Sequence, residues 1–367
     1  MKRIFWSLLL VPIAMTVATV TPAACGGEDA PPQLDNNVRV PEISEKVDRA
    51  VERGLQWLVK NQQKDGSQKS SYPCAASGLA GLAWMASGST FTEGRYCRNI
   101  QLTLDYTLKC ASKNGFISEN AGFGASGMYG HGYSTQFLAQ VHGMIPDEAL
   151  ASRTKDVLVR AVRSVEGSQN KFGGWNSSPN AELTDDGSGA IAVMQVTALR
   201  AAESAGIQVR AQVVERAKKY LLAMTNEQGW YAYNWHARGN SSTGSVATTG
   251  AGMYMIGCLG IHNDPKYAKG IKNVMLSVPG KGNDNSFGGW YAYSIFYASL
   301  AIFQHGGDEW RRWYPAMSDN LIRTQSADGS WNDSYGGVFV ALSVLCLQLP
   351  YRYLPMFQDG GAGMEGR

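Results

Sequence analysis

The stretch Lys171–Leu199, KFGGWNSSPNAELTDDGSGAIAVMQVTAL, decides the fold. It reads as a Gly-Gly-aromatic turn, a short polar loop with a proline, a pair of acids, and then an apolar helix. The same arrangement recurs in both directions along the chain. Asp65-Gly66-Ser67, Asn114-Gly115-Phe116, Gly173-Gly174-Trp175, Gln228-Gly229-Trp230, Gly288-Gly289-Trp290 and Asp328-Gly329-Ser330-Trp331 each close one amphipathic segment and open a loop to another. With the last glycine of each as the mark, they fall at 66, 115, 174, 229, 289 and 329, at intervals of 49, 59, 55, 60 and 40 residues. A period of that size is one supersecondary unit repeated. The chain holds six units.

Working outward, the units split into pairs of helical segments. The expected hairpins pair 46–63 with 75–86, 98–111 with 133–143, 148–165 with 187–205, 209–224 with 246–259, 266–276 with 291–304, and 309–324 with 338–347. In the first, Val47, Val51, Leu55, Leu58 and Val59 recur at spacings of 3 and 4 and make one apolar stripe. The first helix of each pair carries charge, as at Arg216, Lys218 and Lys219; the second is poor in charge and rich in Ala, Gly, Ser and aromatics. A helix apolar nearly all round is a buried helix. Alternating amphipathic and buried helices give two concentric layers, an all-α (α/α)6 toroid. An open solenoid would expose its apolar inner helices on the concave side.

Composition fits one large ring. Of 367 residues 44% are hydrophobic and 17% charged, and a closed set of repeats uses the whole length as a single domain. The net charge of +3 comes without a block of basic residues, which argues against nucleic acid as a partner. Lys2 and Arg3 precede an apolar run, Ile4 to Val20, followed by the small residues before Cys25. That order is a signal peptide over 1–25, which places the protein outside the cytoplasm. Ala23-Ala24-Cys25-Gly26-Gly27 also resembles the bacterial lipoprotein signal, with Cys25 lipidated and attached to the membrane, although Pro22 stands where that pattern prefers Leu. Residues 26–45 read as a tether, 46–358 as the toroid and 359–367 as a tail. Cys110, Cys258 and Cys346 lie in apolar helical runs, and Cys74 has Cys97 or Cys110 as alternative disulfide partners.

The turns carry a family resemblance. Gln62-Gln63-Lys64-Asp65-Gly66-Ser67 and Gln325-Ser326-Ala327-Asp328-Gly329-Ser330-Trp331 resemble the QW-type repeats of squalene–hopene cyclases and protein prenyltransferase β subunits. Met128-Tyr129-Gly130-His131-Gly132-Tyr133 and Leu349-Pro350-Tyr351-Arg352-Tyr353-Leu354-Pro355 look like an exported bacterial branch of these repeats. The resemblance implies the toroid over residues 46 to about 358; fold alone does not imply function. Such cyclases protonate an alkene with an Asp-x-Asp-Asp motif, and the matching stretch here is Leu183-Thr184-Asp185-Asp186, with Leu in place of the first acid. Asp185 and Asp186 are therefore candidate catalytic acids by resemblance, or a helix cap and first-turn charge by local physics. Prenyltransferase β subunits hold zinc with Asp, Cys and His. His262, His305 and Cys346 follow Cys258, but no Asp-x-Cys does, so no metal or other cofactor is expected. The Gly-Cys-Gly-Glu-Gln of thioester domains is absent as well.

In a toroid the N-termini of the inner helices surround one mouth of the central cavity. Tyr72, His131, Tyr133, Asp185, Asp186, Trp235, His236, Tyr291, Tyr293 and Tyr335 are expected there. His131 is read as standing just before an inner helix. His142 lies eleven residues on, about 16 Å along a helix, too far to share a metal with it. Trp175, Trp230, Trp290 and Trp331 are expected to wedge the turns. Aromatic faces in an apolar cavity suit a polyene. The expected function is binding of an apolar, isoprenoid-like ligand or of a protein partner; the alternative is a terpene-cyclase-like or prenyl-transfer enzyme with Asp185 as general acid.

Overall fold

The computed structural model describes residues 44–119, 127–180, 187–238, 244–280, 290–331 and 335–358. The amphipathic segments form α1 (Glu45–Asn61), α3 (Cys97–Cys110), α5 (Glu148–Gly167), α7 (Ala211–Met224), α9 (Pro265–Met275) and α11 (Gly307–Thr324). The apolar segments form α2 (Pro73–Ala86), α4 (Gly127–Val141), α6 (Gly189–Ser204), α8 (Val246–Cys258), α10 (Tyr291–His305) and α12 (Gly337–Gln348). A one-turn helix, α13 (Pro355–Gln358), follows.

The outer helices start where a side chain can satisfy a free backbone N–H. Ser44 accepts from Val47 N at 3.4 Å and Asp147 from Leu150 N at 2.7 Å. Val47, Val51, Leu55 and Leu58 of α1 are buried and Glu45 and Arg49 face water, as the stripe predicts. The second helices have no polar face to show, and α2 is buried from Cys74 to Ala86. They pack on one another in the order α2, α4, α6, α8, α10, α12, and α12 returns to α2. The outer helices cover this ring; α1 lies against both α12 and α2. The fold is an α/α toroid.

Small residues set how closely the inner helices approach. A Cβ on Gly78 of α2 would stand 2.9 Å from the Tyr133 backbone of α4, and one on Gly250 of α8 would stand 2.8 Å from Ala298 of α10. The same cause moves one expected boundary. The helix expected from Tyr133 begins at Gly127, because Gly130 and Gly132 are contact residues rather than turn residues. A Cβ on Gly130 would be 3.0 Å from that of Cys74, and one on Gly132 2.8 Å from that of Met194. His131 therefore lies within α4, not before it.

The repeated turns fasten each outer helix to the next. Gln169 Nε2 donates to Gly173 O in its own turn at 3.0 Å and to Val213 O in the first turn of α7 at 2.9 Å. Asn170 Oδ1 accepts from the N–H groups of Phe172 and Gly174. Gly173 has φ +93°, and a Cβ there would run into the Arg216 carbonyl of α7. It is thus Gly173, not Gly174, that marks the third unit. Trp175, fully buried, donates from Nε1 to Val165 O at 2.8 Å and wedges the turn under α5. Gln62 repeats the clamp onto Asn99 O of α3 at 3.0 Å. Gln325 repeats it onto Ala50 O of α1 at 2.9 Å, with Gly329 against Arg53. The sixth turn therefore docks on the first helix.

Beyond α12 the chain crosses the end of the barrel formed by the C-termini of the inner helices. Tyr351 Oη donates to Asp48 of α1 at 2.5 Å, the Arg352 guanidinium lies 5.1 Å from the Phe303 ring centroid near the end of α10, and Tyr353 faces Gly88 just past α2. On the far side of the ring α13 reaches α6. Leu349, Leu354 and Phe357 are buried beneath this crossing. That end is sealed.

Candidate functional site

The opposite end opens into a pocket. Tyr72 and Ala75 come from the start of α2, Tyr129 and Tyr133 from α4, and Trp290 and Tyr293 from the start of α10. Tyr335, Val338, Phe339 and Leu342 come from α12 and the residue pair before it, and Met194 from α6. The space is about 530 Å³, open solvent at its mouth included. No charged side chain lines it among the described residues.

One wall is a stack of rings. Tyr72 lies on Tyr335 with centroids 5.7 Å apart, and Tyr335 on Trp290 at 4.8 Å and 22°. Phe339 leans on Tyr335 at 5.2 Å. Trp290 closes the series at the rim, half-exposed at 50%. The base is also aromatic: Tyr133 Oη lies 3.1 Å from Tyr297 Oη, and Tyr297 packs on Tyr254 and Tyr293 along the axis. Two of the pocket phenols are committed to the protein, since Tyr293 Oη also donates to Ala190 O at 3.2 Å. Burial pushes Tyr129 up to about 12, helped by the neighbouring phenols of Tyr233, Tyr72 and Tyr335. Burial also raises Tyr133 and Tyr293. Near neutral pH the pocket offers ring faces and aliphatic surface, with no ionised group from these phenols.

Of the residues expected at the mouth, Tyr72, Tyr133, Tyr293 and Tyr335 share this pocket. His131 does not reach it. Its ring is fully buried behind the wall, where Nδ1 accepts from Ile117 N at 3.2 Å and Nε2 donates to Ala161 O at 3.2 Å. Burial pushes it down to about 4, so it is a neutral strut between α4 and α5. Trp235 stacks instead on Phe172 at 4.4 Å and Tyr220 at 5.6 Å, with the Arg238 guanidinium 4.0 Å from its ring centroid. Tyr291 turns outward and donates to Asn320 Oδ1 of α11 at 2.7 Å. His236 is exposed in a single 3-10 turn. Asp185, Asp186 and Cys25 lie outside the described residues.

Two expected wedges behave as wedges, Trp175 and Trp331, the latter donating to Leu321 O at 2.8 Å. Trp230 is half-buried, with its Cβ against Gly244. Trp290 is a correction: it stacks in the pocket wall rather than under a helix. Tyr129, Phe339 and Leu342 were not singled out from the sequence. Their signal is the helical register: Tyr129 with Tyr133 at i, i+4, and Tyr335, Val338, Phe339 and Leu342 at i, i+3, i+4, i+7. Among the described residues, no group of three or more His, Cys, Asp or Glu could hold a metal ion.

No known protein family pattern matches the chain, and no curated protein does. Solved structures do. An inactive variant of an α-1,6-mannanase of Salegentibacter, bound to α-1,6-mannotetrose, matches with TM-score 0.58 at 10% identity, over 84% of this chain and 99% of that one. A variant of the type II terpene cyclase MstE from Scytonema, bound to geranylgeranyl dihydroxybenzoate, matches with TM-score 0.56 at 11% identity, over 86% and 99%. A protein from Actinoplanes matches with TM-score 0.54 at 15% identity, over 83% and 99%. At these identities the likeness is one of fold. It defines the class: an α/α toroid whose structural neighbours include enzymes acting on a glycan and on a polyprenyl substrate.

Proposed function

We propose that the pocket binds an apolar, isoprenoid-like ligand, and that this chain serves as a binding protein outside the cytoplasm. One observation carries the reading: the described lining holds seven aromatic and four aliphatic or thioether side chains and no charge. A glycan would need convergent hydrogen-bond donors and acceptors to replace its water; among the described residues the lining offers only phenol and indole groups, two of the phenols already committed within the protein. A polyene needs shape and ring faces. The signal peptide over 1–25, and lipidation at Cys25 holding the domain near a membrane, belong to the same proposal. Among the described residues no helix is long and apolar enough to cross a membrane.

The test is mass spectrometry of an organic extract of the purified mature protein beside a denatured control. A stoichiometric polyene, hopanoid or other isoprenoid supports the reading. An extract that stays empty when repeated from native membranes sinks it and favours a protein partner. The second reading, a terpene-cyclase-like enzyme with Asp185 as general acid, draws support from the fold shared with a type II terpene cyclase. Turnover of squalene that disappears in Asp185→Asn would establish it. A capping role for Asp185 instead gives a modest stability loss and no activity to lose.

A further inference from the structure

Behind the pocket wall two thiols meet across the first two repeats. Cys74 occupies the first turn of α2, between the pocket residues Tyr72 and Ala75. Cys110 is the last residue of α3. Cys74 Sγ lies 3.9 Å from Tyr106 Oη, and Cys110 stands one helical turn beyond Tyr106 on the same face of α3, near enough for the two thiols to perturb each other's proton affinity. The sequence left Cys97 and Cys110 as alternative partners for Cys74. Cys97 is already committed to a disulfide, while Cys74 and Cys110 are free thiols.

We propose that Cys74 and Cys110 are a disulfide-forming pair, a redox modification site that ties the pocket-bearing turn of α2 to the end of α3. The two thiols are unlike in a way that assigns their roles. Cys74 is 1% exposed, whereas Cys110 is half-buried and within reach of a small reagent. The hydrogen bond from Cys74, and then that from Tyr106, lowers Cys110 below the usual thiol range, against burial and the nearby carboxylates of Glu119 and Asp65. The same contact with Cys110, with burial, raises Cys74. Cys110 is the attacking thiolate.

With a small disulfide such as oxidised glutathione as the oxidant, Cys110 Sγ attacks one sulfur and expels the first glutathione thiolate, which takes up a proton. Cys74 then loses its proton to solvent and attacks Cys110 Sγ, and the second glutathione leaves as a thiol. Two protein thiols become one disulfide, and one external disulfide becomes two thiols. The step does not depend on what the pocket holds.

The full chain, equilibrated in buffers of graded reduced-to-oxidised glutathione, alkylated and digested without reduction, tests the site. The expected product is a peptide pair joined through Cys74 and Cys110 and lighter by two hydrogens, with Cys258 and Cys346 still alkylated after unfolding. Persistence of both thiols in fully oxidised glutathione overturns the proposal, as does Cys110 pairing elsewhere. The roles are checked separately. Cys74→Ser should trap glutathione on Cys110, and Cys110→Ser should leave Cys74 unmodified in protein that melts like the parent. The reverse pattern overturns the assignment of Cys110 as the attacking group.

Discussion

The two ends of the barrel are built from similar side chains and put them to opposite use. At the C-terminal ends of the inner helices Leu349, Leu354 and Phe357 are covered by the chain that crosses there, and Tyr351 spends its hydroxyl on Asp48. At the N-terminal ends Tyr72, Tyr335 and Trp290 stack in a wall that nothing among the described residues covers, and Trp290 remains half-exposed. The difference lies in what is spare. Exposed apolar rings carry a cost in water that a buried floor does not. A fold that keeps them at one end and seals the other has a directional cavity.

That contrast breaks first at the floor. Phe357→Ala removes a ring that is 2% exposed, and should cost about 3–5 kcal/mol of stability by urea unfolding while leaving ligand affinity unchanged. A loss of affinity without a loss of stability would mean the floor takes part in binding. Behind the mouth wall, His131 tests whether the strut is neutral. Its folded pKa, about 4, lies below the unfolded value near 6.5, so its contribution is complete above pH 6.5 and is lost as pH falls towards 4. The expected loss is on the order of 2–3 kcal/mol across that window. His131→Gln should flatten the slope, and an unchanged slope would assign it to other groups.

At the rim the balance reverses. Trp290→Ala should change stability by less than about 1 kcal/mol, as a half-exposed ring, yet weaken ligand binding by roughly tenfold. Fluorescence titration with the ligand from the organic extract reads both arms, and unchanged affinity would remove Trp290 from the site. The smallest effect belongs to Arg352, the one non-glycine residue at positive φ among the described residues, at +54°. Arg352→Gly relieves about 1 kcal/mol of backbone strain and forfeits a cation–π contact with Phe303 of similar size. Unfolding should shift by less than about 1 kcal/mol.

The helices were legible because their two kinds of periodicity are long and unbroken, and the twelve-helix ring follows the expected hairpins closely. The misplaced start of α4 shows the limit. Gly130 and Gly132 read as punctuation, but whether a glycine breaks a helix or lets two helices touch depends on a neighbour that sequence does not place. Trp175 and Trp290 make the same point at the site. Both follow Gly-Gly, yet Trp175 stands fourteen residues before α6 begins at Gly189, free to tuck under α5, whereas Trp290 directly precedes α10 and is carried into the cavity by it. Trp235 was expected at the mouth from its place ahead of an inner helix. Its 3-10 turn, Trp235–Ala237, instead carries the indole onto Tyr220.

The docking of Gln325 and Gly329 on α1 has a consequence for how such a chain can change over time. An open stack of repeats can gain or lose a unit at either end and still bury its faces, because every unit meets only its sequential neighbours. Here the last turn must find the first helix. Deleting one unit would leave a gap no neighbour can fill, and a seventh would have nowhere to stand. Closure thus ties the number of units to the geometry of the ring and leaves the loops, whose lengths already differ from unit to unit, as the places where length can change without opening it.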